Sequence, residues 1–418
     1  MLTLLINPSQ IVTVDTGYQN YKRGISQGQI NVLENHSLVI EDGLIRDFIP
    51  NASVAGQNFD SILDMKDKTI LPGLIDCHTH LAFAGSRADE FRMKISGVTY
   101  EEIAQAGGGI NKTVHAVRNT GLNELIQIIK PKIEYCIAQG ITTLEIKSGY
   151  GLNFDDEIKL LKVISYLNSY YDIEIIPTFL GAHTFPPEFE QDQDGYIDLI
   201  TNKILPYIAG EKLAEFCDGF CEATAFKPEQ IDRIFARASS LGMKIKLHSD
   251  QFNQIGGVDV ALKYNATSID HLEVVSDKDI KKISETDAVC VLLPGVSFFL
   301  HYGYAPARKM ISGNAIVALS TDYNPGSSHI ANLNLIMSLA AIEMRMTMEE
   351  IISAVTINAA KALSVSHKSG SLEIGKNADL AVFNTPEYSD IIYQVGKNLN
   401  CCTIKNGKVI YKTIEDPL

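Results

Sequence analysis

The chain has 418 residues, 45% apolar and 21% charged, which describes an ordinary globular protein too long for one small core. Its net charge of −14 repels phosphate backbones and anionic membranes, so nucleic acid and membrane surfaces are not expected partners. A small anionic substrate in a locally cationic cleft remains compatible with that balance, and seven cysteines at irregular spacing match neither a zinc ribbon nor a disulfide framework.

The opening MLTLLINPSQIVTV has no basic start and its apolar stretch breaks at Asn7-Pro8. No later run reaches the ~18 residues of a membrane span, so a cytoplasmic protein is expected. Up to about residue 68 the chain consists of short alternating or β-branched runs such as QIVTVD and HSLVIEDGLIRDFIP, with Asp42-Gly43 predicting a hairpin. The middle then alternates short apolar runs with amphipathic stretches, the pattern of β/α units. The runs are TILPGLID, ITTLEIK, IEIIPTFL, FCDGFCE, MKIKLH, TSID, AVCVLLP and AIVALS, of which FCDGFCE and TSID are weak strands by propensity. Eight runs over roughly 250 residues are what closes a (β/α)8 barrel. A doubly wound open sheet is the alternative, but no G-x-G-x-x-G follows an early strand. Gly107-Gly108-Gly109 lacks the Lys-Ser or Lys-Thr of a phosphate loop and reads as a connection between helices. From about residue 370, SGSLEIGKNADLAVFN and CTIKNGKVIYKT return to β character, with Asn406-Gly407 as a second hairpin turn. The expected fold is therefore α/β: a (β/α)8 TIM-like barrel over 69–367, and a small composite β-sandwich domain formed by segments 1–68 and 368–418.

Chemistry in such a barrel sits at the C-terminal strand ends. Read in order, the runs end at or lead into His78 and His80, Lys147 and Tyr150, His183, Glu222, His248, His271 and Asp322. Five of the ten histidines lie at these ends. Three imidazoles and a carboxylate, with one position left for water, suit zinc or another borderline metal. Such an ion lowers the pKa of its water to about 7 and polarises a neighbouring carbonyl, so hydrolysis is the expected reaction class.

PGLIDCHTH, followed by His248, His271 and Asp322 and by GSLEIGKNADLAVF, resembles the amidohydrolase superfamily across almost the whole chain. HLAFAGSRADEF, TYEEIAQAGGGI, EIKSGYGL, FLGAHTFP, HSDQF and STDYNPGS resemble, within it, the imidazolonepropionase family. That resemblance implies hydrolysis of 4-imidazolone-5-propanoate to N-formimino-L-glutamate in histidine breakdown, in a cytoplasmic homodimer with one Zn2+ or Fe3+ per subunit. It places metal ligands on His78, His80, His248 and Asp322, and substrate contacts on Arg87, Tyr150, His183, Gln251, Asn324, Gly326 and Ser327. The family admits Glu or Gln at position 251, and a Gln there cannot act as a base. Proton transfer is left to Asp322 or His271, and the oxyanion to the metal, His183 or His271. Lys147 also invites a carbamylated two-metal reading, but such a lysine belongs on the fourth strand and Lys147 falls on the second, so a single metal is expected. Competing readings are a related cyclic amidohydrolase or a deaminase, a barrel scaffold without metal, and an anion-binding transport protein.

Overall fold

The computed structural model describes residues 1–97 and 108–413. His36–Glu41 and Leu44–Pro50 pair antiparallel around Asp42 and Gly43, both at positive φ (50° and 86°), as the turn chemistry requires. Asn406 and Gly407, at 49° and 74°, turn the chain between Asn400–Lys405 and Lys408–Lys412 in the same way. The two turns pack on each other. A Cβ on Gly43 would lie 2.7 Å from the Asn406 carbonyl oxygen, so this glycine is needed for space as well as for conformation.

The first hairpin joins Leu2–Ile6 and Ser61–Asp64 in a four-stranded sheet. The second joins Leu380–Phe383, Thr69–Pro72, Gln10–Val12 and Val32–Leu33 in a six-stranded sheet, so segments far apart in the chain share one ladder. Leu5, Leu38 and Ile40 from one sheet meet Ile11, Ile70, Leu380 and Val382 from the other in a single apolar layer, which makes the pair a sandwich.

The run TILPGLID, expected as one barrel strand, is divided at Gly73. Thr69–Pro72 stays in the six-stranded sheet and only Leu74–Asp76 enters the barrel. The cause is local: a Cβ on Gly73 would lie 2.3 Å from Thr142 Oγ1, and the Gly73 amide donates to the Asp379 carbonyl at 2.8 Å. The bare backbone pivots between the two bodies at that point.

The barrel strands are β1 (Leu74–Asp76), β2 (Ile141–Lys147), β3 (Glu174–Ala182), β4 (Phe216–Cys221), β5 (Lys244–Ser249), β6 (Ser268–His271), β7 (Val289–Leu292) and β8 (Ile316–Leu319). They form one eight-stranded sheet with neighbours in chain order, and every ladder in it is parallel. All eight expected runs are strands, including the two with weak propensity, because burial between sheet neighbours and helices overrides local preference. The seam between β1 and β8 closes beyond their ladders. The His80 amide donates to the Tyr323 carbonyl at 3.0 Å, and the Asp322 amide to the His78 carbonyl at 3.1 Å. Asp76 at the end of β1 accepts from the Thr321 amide at 3.1 Å, from Thr321 Oγ1 at 2.7 Å and from Ser320 Oγ.

Along β2, Leu144 and Ile146 join the apolar layer under the helices, whereas Glu145 and Lys147 alternate with them and are buried inside the barrel. All seven cysteines are buried. Among the described residues no helix is long and apolar enough to cross a membrane. Gly107 and most of TYEEIAQAGGGI lie outside the described residues.

Candidate functional site

The closing seam carries the site. His80 Nε2 lies 3.3 Å from His248 Nε2 and 3.3 Å from Asp322 Oδ1, and His78 Nε2 lies 3.3 Å from the same carboxylate oxygen. His78 Nε2 and Asp322 Oδ1 are buried and make no hydrogen bond. Buried polar atoms left in that state are costly unless a cation lies among them. Behind the histidines the opposite ring nitrogens are held: His78 Nδ1 is 2.6 Å from Asp270 Oδ2, and His248 Nδ1 is 3.1 Å from Asp218 Oδ1. An ionised carboxylate only accepts, so each Nδ1 carries the proton and each Nε2 keeps its lone pair for the centre. Imidazole nitrogens and a carboxylate oxygen facing one point are the donor set of a borderline metal ion, so the residues fit one.

Among the described residues two overlapping groups bring their ligating atoms within 4.8 Å of one another: His78, His80 and Asp322, and His78, His248 and His271. The four expected ligands therefore meet, and His271 stands beside them with its Nδ1 3.3 Å from Glu273 Oε1. Burial opposes ionisation of Asp322, but the imidazoles of His78 and His80 outweigh it and hold the carboxyl well below its usual range. Burial pushes His248 down to about 4, so its imidazole is neutral and ready to ligate. Asp322 has φ +48°, and Asn324 Nδ2 donates to its carbonyl at 2.8 Å and to Oδ2 at 2.9 Å, fixing the side chain that leaves Oδ1 facing the histidines.

Lys147, the last residue of β2, is buried among carboxylates. Its amine lies 2.8 Å from both Glu145 Oε2 and Asp218 Oδ2, and these charges raise its pKa against the burial that would lower it.

The expected substrate residues surround the same mouth. His183 stacks on His80 with ring centroids 5.1 Å apart, Tyr150 lies 5.3 Å from His183, and His183 Nδ1 is 2.9 Å from the Gly149 carbonyl. A carbonyl accepts, so Nδ1 of His183 carries its proton; burial pushes the ring down to about 4, which keeps it neutral. Arg87 caps the helix Ala88–Ile95 and is held by Glu90, whose Oε2 lies 2.8 Å from both Nε and Nη2. Its guanidinium packs against the loop after β8, where a Cβ on Gly326 would stand 2.2 Å from Nη1. Asn324 Oδ1 accepts from the Gly326 and Ser327 amides at 2.8 and 2.7 Å, so one asparagine shapes that loop and steadies Asp322. Gln251 is buried three residues beyond His248. Glu222, read as a strand-end candidate, instead accepts from the Ala223, Phe252 and Asn253 amides at 2.8, 2.9 and 3.2 Å and anchors the loop carrying Gln251.

Asp218, Asp270, Glu145, Lys246 and Glu90 went unread in the sequence. The signal for the first four was available: charged residues inside otherwise apolar strand runs, two apart from Lys147 or His248 in the cases of Glu145 and Lys246, must share their inward face. Glu90 carried no such signal, because its partner Arg87 lies on an irregular loop.

The amidohydrolase family model matches residues 69–410. The chain is 44% identical to an imidazolonepropionase of Geobacillus thermodenitrificans over 386 residues, covering 91% of each chain. It is 40% identical to an imidazolonepropionase of Clostridium tetani over 412 residues, covering 98% of each. Among solved structures it resembles a triazine hydrolase from Arthobacter aurescens (TM-score 0.75, 16% identity, covering 98% of this chain and 95% of that one). An adenosine deaminase from Xanthomonas campestris, solved with bound zinc, gives a TM-score of 0.74 at 17% identity, covering 99% and 94%. Likeness at that identity concerns the fold alone. With the barrel, its seam of histidines and an aspartate, and relatives matched over nearly the full chain, this protein belongs to the amidohydrolase family and, within it, to the imidazolonepropionases.

Proposed function

We propose that this chain hydrolyses 4-imidazolone-5-propanoate to N-formimino-L-glutamate in histidine degradation, as a cytoplasmic homodimer with one Zn2+ or Fe3+ per subunit on His78, His80, His248 and Asp322. Its composite β domain takes the segment up to Pro72 and the return from about residue 368, and the catalytic barrel begins at Leu74, since Thr69–Pro72 pairs within the six-stranded sheet. The observation that carries this reading is the convergence of three imidazole Nε2 atoms and Asp322 Oδ1 beside the loop after β8, against which Arg87 packs at Gly326. The ion, when bound, polarises the ring carbonyl and makes a water acidic enough to attack at neutral pH.

The chain's own groups do the rest. Arg87 receives the propionate through its guanidinium, and Tyr150 adds a neutral donor. Gln251 and the loop of Asn324, Gly326 and Ser327 bound the ring. Asp322 or His271, facing the attacking water, takes its proton and returns it to the ring nitrogen as the C–N bond of the lactam breaks. His183 has its Nδ1–H engaged by Gly149, so its Nε2 offers a lone pair to a ring N–H and orients the substrate. In that state it cannot donate to an oxyanion, which leaves the ion and His271 on that side of the carbonyl.

Purified protein should accelerate the loss of absorbance of freshly generated imidazolone propionate without releasing ammonia; ammonia release would point to a deaminase. The preparation should hold close to one zinc or iron per chain. His248→Ala should lose metal and turnover yet keep its circular dichroism, since the barrel core does not rest on that ring. Two tightly bound ions per active chain would overturn the single-metal site.

A further inference from the structure

Below the metal-facing histidines the barrel encloses a chain of charges, every side chain of which is fully buried. Lys147 Nζ lies 2.8 Å from Glu145 Oε2 and 2.8 Å from Asp218 Oδ2, and Asp218 in turn holds His248 Nδ1. Lys246 Nζ lies 2.8 Å from Glu145 Oε1 and 3.8 Å from Asp270 Oδ2, and Asp270 holds His78 Nδ1. Lys246 also donates to the Cys77 carbonyl at 2.8 Å, one residue before His78. Glu145 therefore touches both lysines, and each lysine leads to a different histidine. Thr178 Oγ1 completes its surroundings with a hydrogen bond to Oε1 at 2.6 Å.

The arrangement follows from strand periodicity. Glu145 and Lys147 are two apart on β2, and Lys246 and His248 are two apart on β5, so all four point into the barrel. If Glu145 carried no charge, two buried ammonium groups would face each other with no anion between them. They would then be drawn to Asp218 and Asp270, the carboxylates that hold the histidines. We propose that Glu145, which touches neither ion nor substrate, is a positioning residue that sets the tautomer and aim of His78 and His248 together through the two lysines. The inference rests on the ligand assignment made above for these histidines.

Glu145→Gln keeps the side-chain shape and removes the charge. It should weaken zinc binding by about 10- to 100-fold, as loss of a group supporting the ligands does, read by competition with a chromophoric chelator. It should also move the visible absorption bands of the cobalt(II)-loaded protein, and in the metal-free protein nitrogen NMR should show His78 and His248 no longer uniformly protonated at Nδ1. Thr178→Val removes one hydrogen bond to Glu145 without changing charge and should weaken zinc binding by roughly 2- to 10-fold. If Glu145→Gln does not fold, Thr178→Val decides by the same three readouts. In an Asp218→Asn background the effect of Glu145→Gln should shrink, since the two act along one path.

A lowered melting temperature with unchanged zinc affinity, cobalt spectrum and tautomers would overturn the inference and leave Glu145 as barrel filling. His78→Ala and His248→Ala, measured in parallel, separate the two failures. If they keep wild-type zinc affinity, the ligand assignment falls; if they lose zinc while Glu145→Gln does not, only the positioning role falls.

Discussion

Arg87 is a loop arginine with a side chain only 11% exposed, because Glu90 occupies its Nε and Nη2 and Gly326 lies under Nη1. Under the proposed function the substrate's propionate binds this guanidinium beside Glu90 through its planar fork. Arg87→Met should raise KM by the equivalent of at least ~2 kcal/mol, the loss of a charge-assisted hydrogen bond, with a smaller effect on kcat. Arg87→Lys should recover part of this, lacking the planar fork. Gly326→Ala should copy the KM defect by pushing the guanidinium aside; steady-state kinetics showing wild-type kcat/KM in Arg87→Met would return Arg87 to a structural role. Under the proposed function Asp322 carries two duties, one oxygen toward the ligand point and the carboxyl as a base. Asp322→Asn should therefore abolish turnover, whereas Gln251→Glu should retain much of it, since a carboxylate at 251 still accepts substrate hydrogen bonds. Comparable activity in the two variants would deny Asp322 that double role.

Single residues gain these positions because short elements are pinned where they change direction. β1 is only three residues long, and Gly73 aims it by passing the chain against Thr142 without a side chain. Gly73→Ala should cost about 1–3 kcal/mol of stability through overpacking, measured by urea unfolding, and should disturb His78 and His80 along with it. An unchanged midpoint would show that Thr142 yields and that the pivot needs no glycine. The loop after β5 is pinned differently, by the Phe252 and Asn253 amides donating to the buried Glu222 carboxylate, which fixes the backbone next to Gln251 without regular structure.

At the scale of the molecule, Glu373 ties the two ends of the chain together. It accepts from Thr16 Oγ1 at 3.2 Å and the Tyr18 amide at 2.8 Å, and pairs with Lys376 at 2.9 Å. Burial opposes its ionisation, but hydrogen bonds from Ser371, Lys376 and Tyr18 outweigh it and hold the carboxyl at about 2. A pKa depressed from an unfolded value of ~4.3 stabilises the fold at pH above that value. That contribution is lost as pH falls toward about 2. Thermal melts should show a steeper acid loss of stability for the wild type than for Glu373→Gln between those limits. Parallel curves would mean that the bond is equally strong to the protonated acid.

The sequence by itself determined the elements and their chemistry. Asp42-Gly43 and Asn406-Gly407 force hairpins through backbone conformation alone, and eight apolar runs with residues such as His248, His271 and Asp322 at their ends mark a barrel and its reactive face. These signals are local, carried by side chains two or four residues apart. Only the tertiary structure decided where TILPGLID breaks, since Gly73 answers to Thr142, nearly seventy residues away. The same holds for Asp218 and Asp270 behind His248 and His78, for Glu145 between two lysines, and for Glu90 behind Arg87. A charged residue inside a strand names no partner until the barrel closes, because its partner is set by register and curvature across strands that the chain visits tens of residues apart.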